Sequence, residues 1–214
     1  MEFNSKEKKT DSKDGKIEGV GTFSGGVYGD LKIDGVCTIN GDLEADSLNV
    51  DGVCTCNGNI TAKKFDCDGV ITIAGNLRSG TIDIDGVVKL GGSKVEADRI
   101  DCDGVLSING EISADIIIAD GKLNAEEILG DHITIKSYWR RGIRGMFLKG
   151  GEKIGGKFSI IGLIEGTTVE LRGVRAKSVS GQNVYIGKYC EIDKASASGE
   201  LYIHPTSKVG EVVS

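Results

Sequence analysis

The dipeptide Asp-Gly recurs six times in one stretch, at Asp34-Gly35, Asp51-Gly52, Asp68-Gly69, Asp85-Gly86, Asp103-Gly104 and Asp120-Gly121. The steps between the aspartates are 17, 17, 17, 18 and 17 residues. A second glycine column, Gly41, Gly58, Gly75, Gly92 and Gly110, keeps the same phase. Two columns in phase over five units define an internal repeat. Repeats of this length build solenoids, in which each unit buries its apolar side against its neighbours.

The units read LKIDGVCTINGDLEADS, LNVDGVCTCNGNITAKK, FDCDGVITIAGNLRSGT, IDIDGVVKLGGSKVEADR and IDCDGVLSINGEISAD. Each holds three short runs in which apolar and polar residues alternate. In the first unit these are Leu31/Ile33, Cys37/Ile39 and Leu43/Ala45. Period-two alternation marks strands with one buried face. The Asp-Gly and Asn-Gly pairs between runs are turn formers, in which Gly supplies positive φ and the Asx side chain bonds nearby backbone. Three strands and three corners in about 17 residues describe one triangular coil of a parallel β-helix, stacked at about 4.8 Å. The chain is therefore expected to be all-β. No unit carries helix-length apolar periodicity, so leucine-rich, ankyrin and tetratricopeptide arrays fit poorly.

Composition agrees with a narrow core. Aromatics make up only 5% of the chain, while glycine contributes 33 residues and proline 1. A net charge of −6 argues against nucleic acid as a partner. Met1 to Lys16 has no apolar run of the kind a signal peptide needs, and no stretch of about 20 apolar residues follows. A cytoplasmic chain with reduced thiols is the expectation. Cys37 and Cys54 share a column with Ile71, Val88 and Leu106, and Cys56 one with Ile39, Ile73, Leu90 and Ile108. Cys67 and Cys102 share one with Ile33, Val50 and Ile84. These cysteines read as small buried hydrophobes. Cys54-x-Cys56 lacks zinc-knuckle spacing and has no histidine near it, so no metal or other cofactor is expected. The aspartate column reads as a ladder of Asx turns. A row of cation ligands is the sharper alternative, but the calcium-binding β-helix repeat has a different period.

In chain order, residues 1–15 are polar and expected to form a disordered tail, a solubilising arm or a contact to membrane or partner. Residues 16–136 are expected to form the regular β-helix, opening on a degenerate unit at Glu18-Gly19-Val20. His132, near its end, reads as structural. Residues 137–157 carry six basic residues against one acidic residue. On a helical wheel Trp139, Ile143, Met146 and Phe147 share one face, and Arg140, Arg141 and Arg144 lie opposite. This insert is either a loop interrupting the solenoid or a basic amphipathic patch for anionic lipid or a partner. Residues 158–214 resume strand-like alternation as a less regular β-helical segment.

The hxhDGVhxhxGxhxA repeat over residues 31–120, with the run GQNVYIGKYCEI at 181–192, resembles the bactofilin family of bacterial polymer-forming cytoskeletal proteins, in particular longer members from Gram-positive bacteria. The resemblance covers roughly residues 16–130 and 155–203. It implies a right-handed β-helix that polymerises end to end without nucleotide. It also implies filaments that lie on the inner face of the membrane and scaffold envelope proteins. The tail carries no obvious apolar membrane peptide, which leaves the Trp139–Phe147 patch as the substitute.

Physics points the same way, since the two ends of a β-helix expose unpaired strand edges and end-on docking continues the ladder. The expected partner is thus a second copy of the chain, with an anionic membrane surface and envelope proteins after it. Two other functions compete. Ile203-His204-Pro205 with Val209-Gly210 is similar to hexapeptide acyltransferases, which use a histidine base, although hexapeptide tandems are missing. A solenoid adhesin, ice-binding or ligand-binding protein would need export, and Thr38, Thr55 and Thr72 form only a short threonine column.

Overall fold

The computed structural model describes residues 13–137 and 158–213. Every regular element in them is a strand. The first are β1 (Lys13–Ile17), β2 (Val20–Ile33), β3 (Val36–Val50), β4 (Val53–Cys56), β5 (Ile60–Cys67), β6 (Val70–Ile73) and β7 (Leu77–Ile84). There follow β8 (Val87–Leu90), β9 (Lys94–Cys102), β10 (Val105–Ile108), β11 (Glu111–Ala119) and β12 (Lys122–Lys136). Beyond the insert come β13 (Ser159–Arg172), β14 (Val174–Ile186), β15 (Glu191–Ala197), β16 (Leu201–Ile203) and β17 (Lys208–Val213). All pair in parallel, one coil to the next, in a β-solenoid of about 11 turns with roughly 17 residues each. No helix among the described residues is long and apolar enough to cross a membrane.

The third coil shows why this sequence closes into three sides. Val53–Cys56 alternates outward and inward, burying Cys54 and Cys56. Asn57, Gly58 and Asn59 turn the chain, after which Ile60 and Ala62 point in. Lys63 and Lys64 are both exposed, which breaks the alternation and marks a second corner inside β5. Phe65 and Cys67 then point in, and Asp68-Gly69 makes the third corner. Six inward side chains per coil form a single core running along the stack.

The columns expected from the repeat are in register. Cys37 pairs with Cys54, Cys54 with Ile71, Ile71 with Val88 and Val88 with Leu106. Ile33, Val50, Cys67, Ile84 and Cys102 form another unbroken column. The first strand begins at Lys13, inside the stretch expected as tail, because Asp14 Oδ1 accepts the Asp30 amide at 2.9 Å and ties it to β2. Register also runs through the insert: Ala125 pairs with Ile161 and Lys136 with Arg172, a step of 36 residues. From β13 to β14 the step shortens to 15 residues, as in Ser159↔Val174, and it returns to 17 by Ile192↔Val209.

Candidate functional site

The Asp-Gly corner is held by backbone, which corrects the expected Asx turn. The amides of Asp51 and Gly52 both donate to the Ile33 carbonyl, each at 2.9 Å. Those of Asp68 and Gly69 converge likewise on Val50, at 3.1 and 2.8 Å. The role assigned to these glycines also changes. Gly35, Gly52, Gly69, Gly86, Gly104 and Gly121 are absent from the positive-φ positions, where the column is represented only by its degenerate first member Gly19. What excludes a side chain is proximity. A Cβ at Gly69 would stand 2.0 Å from the Gly52 carbonyl oxygen, and the same contact is 2.0 or 2.1 Å at the other five.

The carboxylates of that corner face outward and fall into two groups. Toward the N-terminal end they are paired. Lys16 Nζ lies 3.1 Å from Asp34, and Lys32 Nζ bridges Asp34 at 3.3 Å and Asp51 at 2.9 Å. The hydrogen bond from Lys16 holds Asp34 below the usual carboxylate range. Further along, the aspartates crowd one another. Asp68 is pushed up by desolvation and by Asp66, Asp85 and Asp51, and Asp83 by desolvation and by Asp85 and Asp101. These belong to two neighbouring acidic columns, one through Asp66, Asp83 and Asp101. Among the described residues no three His, Cys, Asp or Glu side chains group so as to hold a metal ion.

Side-chain capping of the kind expected at Asp-Gly occurs at a different corner. Asp42 Oδ1 accepts the Asn59 amide at 2.7 Å, and Asn59 Oδ1 accepts the Asn76 amide at 2.9 Å. Asn76 Oδ1 accepts both Ser93 and Lys94 amides at 3.0 Å. Each side chain thus satisfies backbone one coil on, an asparagine ladder along the axis. Its signal was present in the spacing, since Asp42, Asn59, Asn76 and Ser93 recur at 17 residues directly after the second glycine column.

The thiols lie inside the core. Cys37 Sγ and Cys54 Sγ stand 3.2 Å apart across adjacent coils, and all six cysteines are buried and unbridged. Burial pushes the Cys67 and Cys102 thiols up to about 12 and raises Cys54 further. His132 stands on β12 beside Ile116 and Thr168. His204 is tied into a turn, its Nδ1 accepting the Thr206 amide at 3.1 Å. The patch residues Trp139, Arg140, Arg141, Ile143, Arg144, Met146 and Phe147 lie outside the described residues.

Both ends of the described stack present strand edges. β1 pairs only with β2, over Tyr28–Ile33, so the outer edge of Val20–Val27 has no strand beside it among the described residues. Val20, Phe23 and Val27 are exposed there. At the other end β16 pairs only with β14 and β17 only with β15, and Tyr202 and Val212 are exposed. Edges of this kind are templates for pairing with another chain. Comparison with known protein families, curated proteins and solved structures found no match.

Proposed function

We propose that this chain is a structural subunit that assembles end to end into cytoskeletal filaments without nucleotide. The observation that carries the reading is the pair of strand edges that close the described stack, each beside exposed apolar side chains. A second copy is the partner best matched to such an edge, because its own coils carry the same strand spacing and the same three-sided core. Repeated end-on contacts that do not close on themselves build an open filament. The resemblance to bactofilins supports the same reading. It extends it to a cytoplasmic scaffold at the inner face of the membrane, with envelope proteins as clients and the basic Trp139–Phe147 segment as the contact to anionic lipid.

Negative-stain microscopy and high-speed sedimentation of the purified full chain, without nucleotide, test this. Filaments are expected at micromolar concentration. A clean monomer at high concentration sinks the proposal. Co-sedimentation with anionic vesicles tests the lipid contact, with loss of binding expected for Trp139→Ala, Phe147→Ala. Equal binding by the variant removes that part alone.

A further inference from the structure

One outer face of the solenoid differs in kind from the other two. After each Asp-Gly corner the short strand directs alternate side chains outward, and the repeat makes these alike. Val20, Val36, Val53 and Val70 lie in one register column, and Thr22, Thr38, Thr55 and Thr72 in the next. The third outward position is Ser24, Asn40, Asn57 and Ala74. Four successive coils therefore show no charge on this face, in a chain of which 27% is Asp, Glu, Lys or Arg. The stripe ends at Lys89, the register partner of Thr72. The other faces of the same coils carry charge, for example Glu44 and Arg78 in one column and Lys32 and Asp66 in another. The valines are open to solvent, at 87% for Val20, 49% for Val36, 47% for Val53 and 39% for Val70.

We propose that this valine–threonine face is a lateral docking surface for the same face of a second copy, so that two end-to-end polymers zip side by side. The occupant follows from charge and from repeat. At a net charge of −6, copies approaching through their acidic columns repel, and the neutral face is where two like chains meet without desolvating carboxylates. Identical β-branched side chains at a fixed strand spacing interdigitate with an identical set, as in other dry sheet-to-sheet contacts.

Area sets the condition for pairing. Four coils at about 4.8 Å by four residue steps at about 3.3 Å give roughly 250 Å² per copy, well short of the roughly 800 Å² per partner of a stable dimer. One pair of subunits therefore meets only transiently, at high concentration. A filament presents the stripe once per subunit, and the contacts reinforce one another once two filaments are aligned. The pairing rests on the filament reading for its strength, though the face is defined without it.

The test separates the two. The variant Val36→Lys, Val53→Lys places charge on exposed positions, and thermal unfolding checks that it folds. High-speed pelleting reads end-to-end assembly, while low-speed pelleting and filament width in negative stain read pairing. Wild type is expected to form paired filaments, and the variant to lose at least tenfold of the low-speed pellet with its high-speed pellet unchanged. Paired variant filaments, or unpaired wild-type filaments, overturn the proposal. Should the wild type not polymerise, a bis-maleimide crosslink decides. Thr55→Cys adds one exposed thiol to six buried ones and is expected to give covalent dimers at high concentration, while Arg78→Cys on the charged face gives at least fivefold fewer. Equal yields overturn the proposal.

Discussion

Gly69→Ala tests the claim that the Asp-Gly glycines serve close approach between coils. The added Cβ would lie 2.0 Å from the Gly52 carbonyl oxygen and 2.7 Å from the carbonyl of Asp51, where ordinary contact begins at 3.4 Å. Both neighbours are backbone, so no rotamer relieves the overlap. The coils must separate locally by more than an ångström. Three hydrogen bonds cross that gap: Asp68 and Gly69 to Val50, at 3.1 and 2.8 Å, and Val70 to Gly52, at 2.9 Å. Losing them costs about 1 kcal/mol each. Overpacking strain adds about 1–3 kcal/mol, for a combined loss of about 5 kcal/mol against a domain stability of about 5–15 kcal/mol. At about 2–4 °C per kcal/mol for a chain of this size, the thermal midpoint falls by about 10–20 °C. Because each coil touches only its neighbours, the break can also split unfolding into two steps. Gly41→Ala is the control. Gly41 has φ +96° with nothing within 4 Å of the built Cβ, so its cost is left-handed strain alone, about 1–2 kcal/mol. Circular dichroism melts of both variants decide. Equal losses, or a Gly69→Ala loss below about 2 °C, refute the close-approach account.

Asn76→Ala removes the acceptor of two amides, Ser93 and Lys94, at an exposed corner. The expected cost is about 1 kcal/mol by denaturant titration, and no change would mean that the ladder contributes nothing beyond what water supplies. Asp68 and Asp83 hold their protons to higher pH in the folded chain than in the unfolded one, chiefly through desolvation and then through neighbouring aspartates. The native state therefore binds more protons as pH falls from neutral toward the ordinary carboxylate range, and stability rises through that window. The salt-bridged Asp34 has the opposite sign and loses its contribution below that range. Asp83→Asn is accordingly expected to melt higher than wild type at pH 7, with the gap narrowing as the pH falls into the ordinary carboxylate range; a gap that stays constant through that range contradicts the raised titration of Asp83. With burial holding the thiols protonated, an aromatic disulfide reagent at pH 8 is expected to find none of the six cysteines in the native chain and all six in denaturant. Prompt native reaction at Cys54 would contradict its burial.

The period, the parallel stacking and the inward columns were legible because they rest on residue type at fixed spacing. Cys37, Cys54, Ile71, Val88 and Leu106 lie where the repeat places them. The columns at both corners were legible in the spacing, but which corner caps backbone with its side chains was not, for a physical reason. Asp51-Gly52 and Gly58-Asn59 are equivalent as turn formers, yet only the side chain that follows the glycine reaches an amide of a neighbouring coil. Which one does so depends on the path of the corner, and composition does not encode that path. The role of Gly69 was hidden likewise, since a glycine required by positive φ and one required by a carbonyl 2.0 Å away read the same in sequence.

The junction around the insert shows why an irregular sequence there leaves the stack intact. Chain departs after Ser137 and returns at Phe158, so the interruption falls at a corner and the flanking strands pair over their lengths. Ser159 Oγ accepts the Leu123 amide at 3.0 Å and lies 2.8 Å from Ser137 Oγ, while the Ser137 amide reaches the Arg172 carbonyl at 2.9 Å. Buried Ser159 thus supplies an acceptor that a continuous coil would take from backbone. Arg175 adds a contact 4.3 Å from the centre of the Phe158 ring, fixing the point of return. Holding the two chain ends together this way costs entropy that grows only slowly with the number of residues between them. The coils before and after residues 138–157 therefore remain one ladder, with β12 and β13 in register from Asn124↔Ile160 to Lys136↔Arg172.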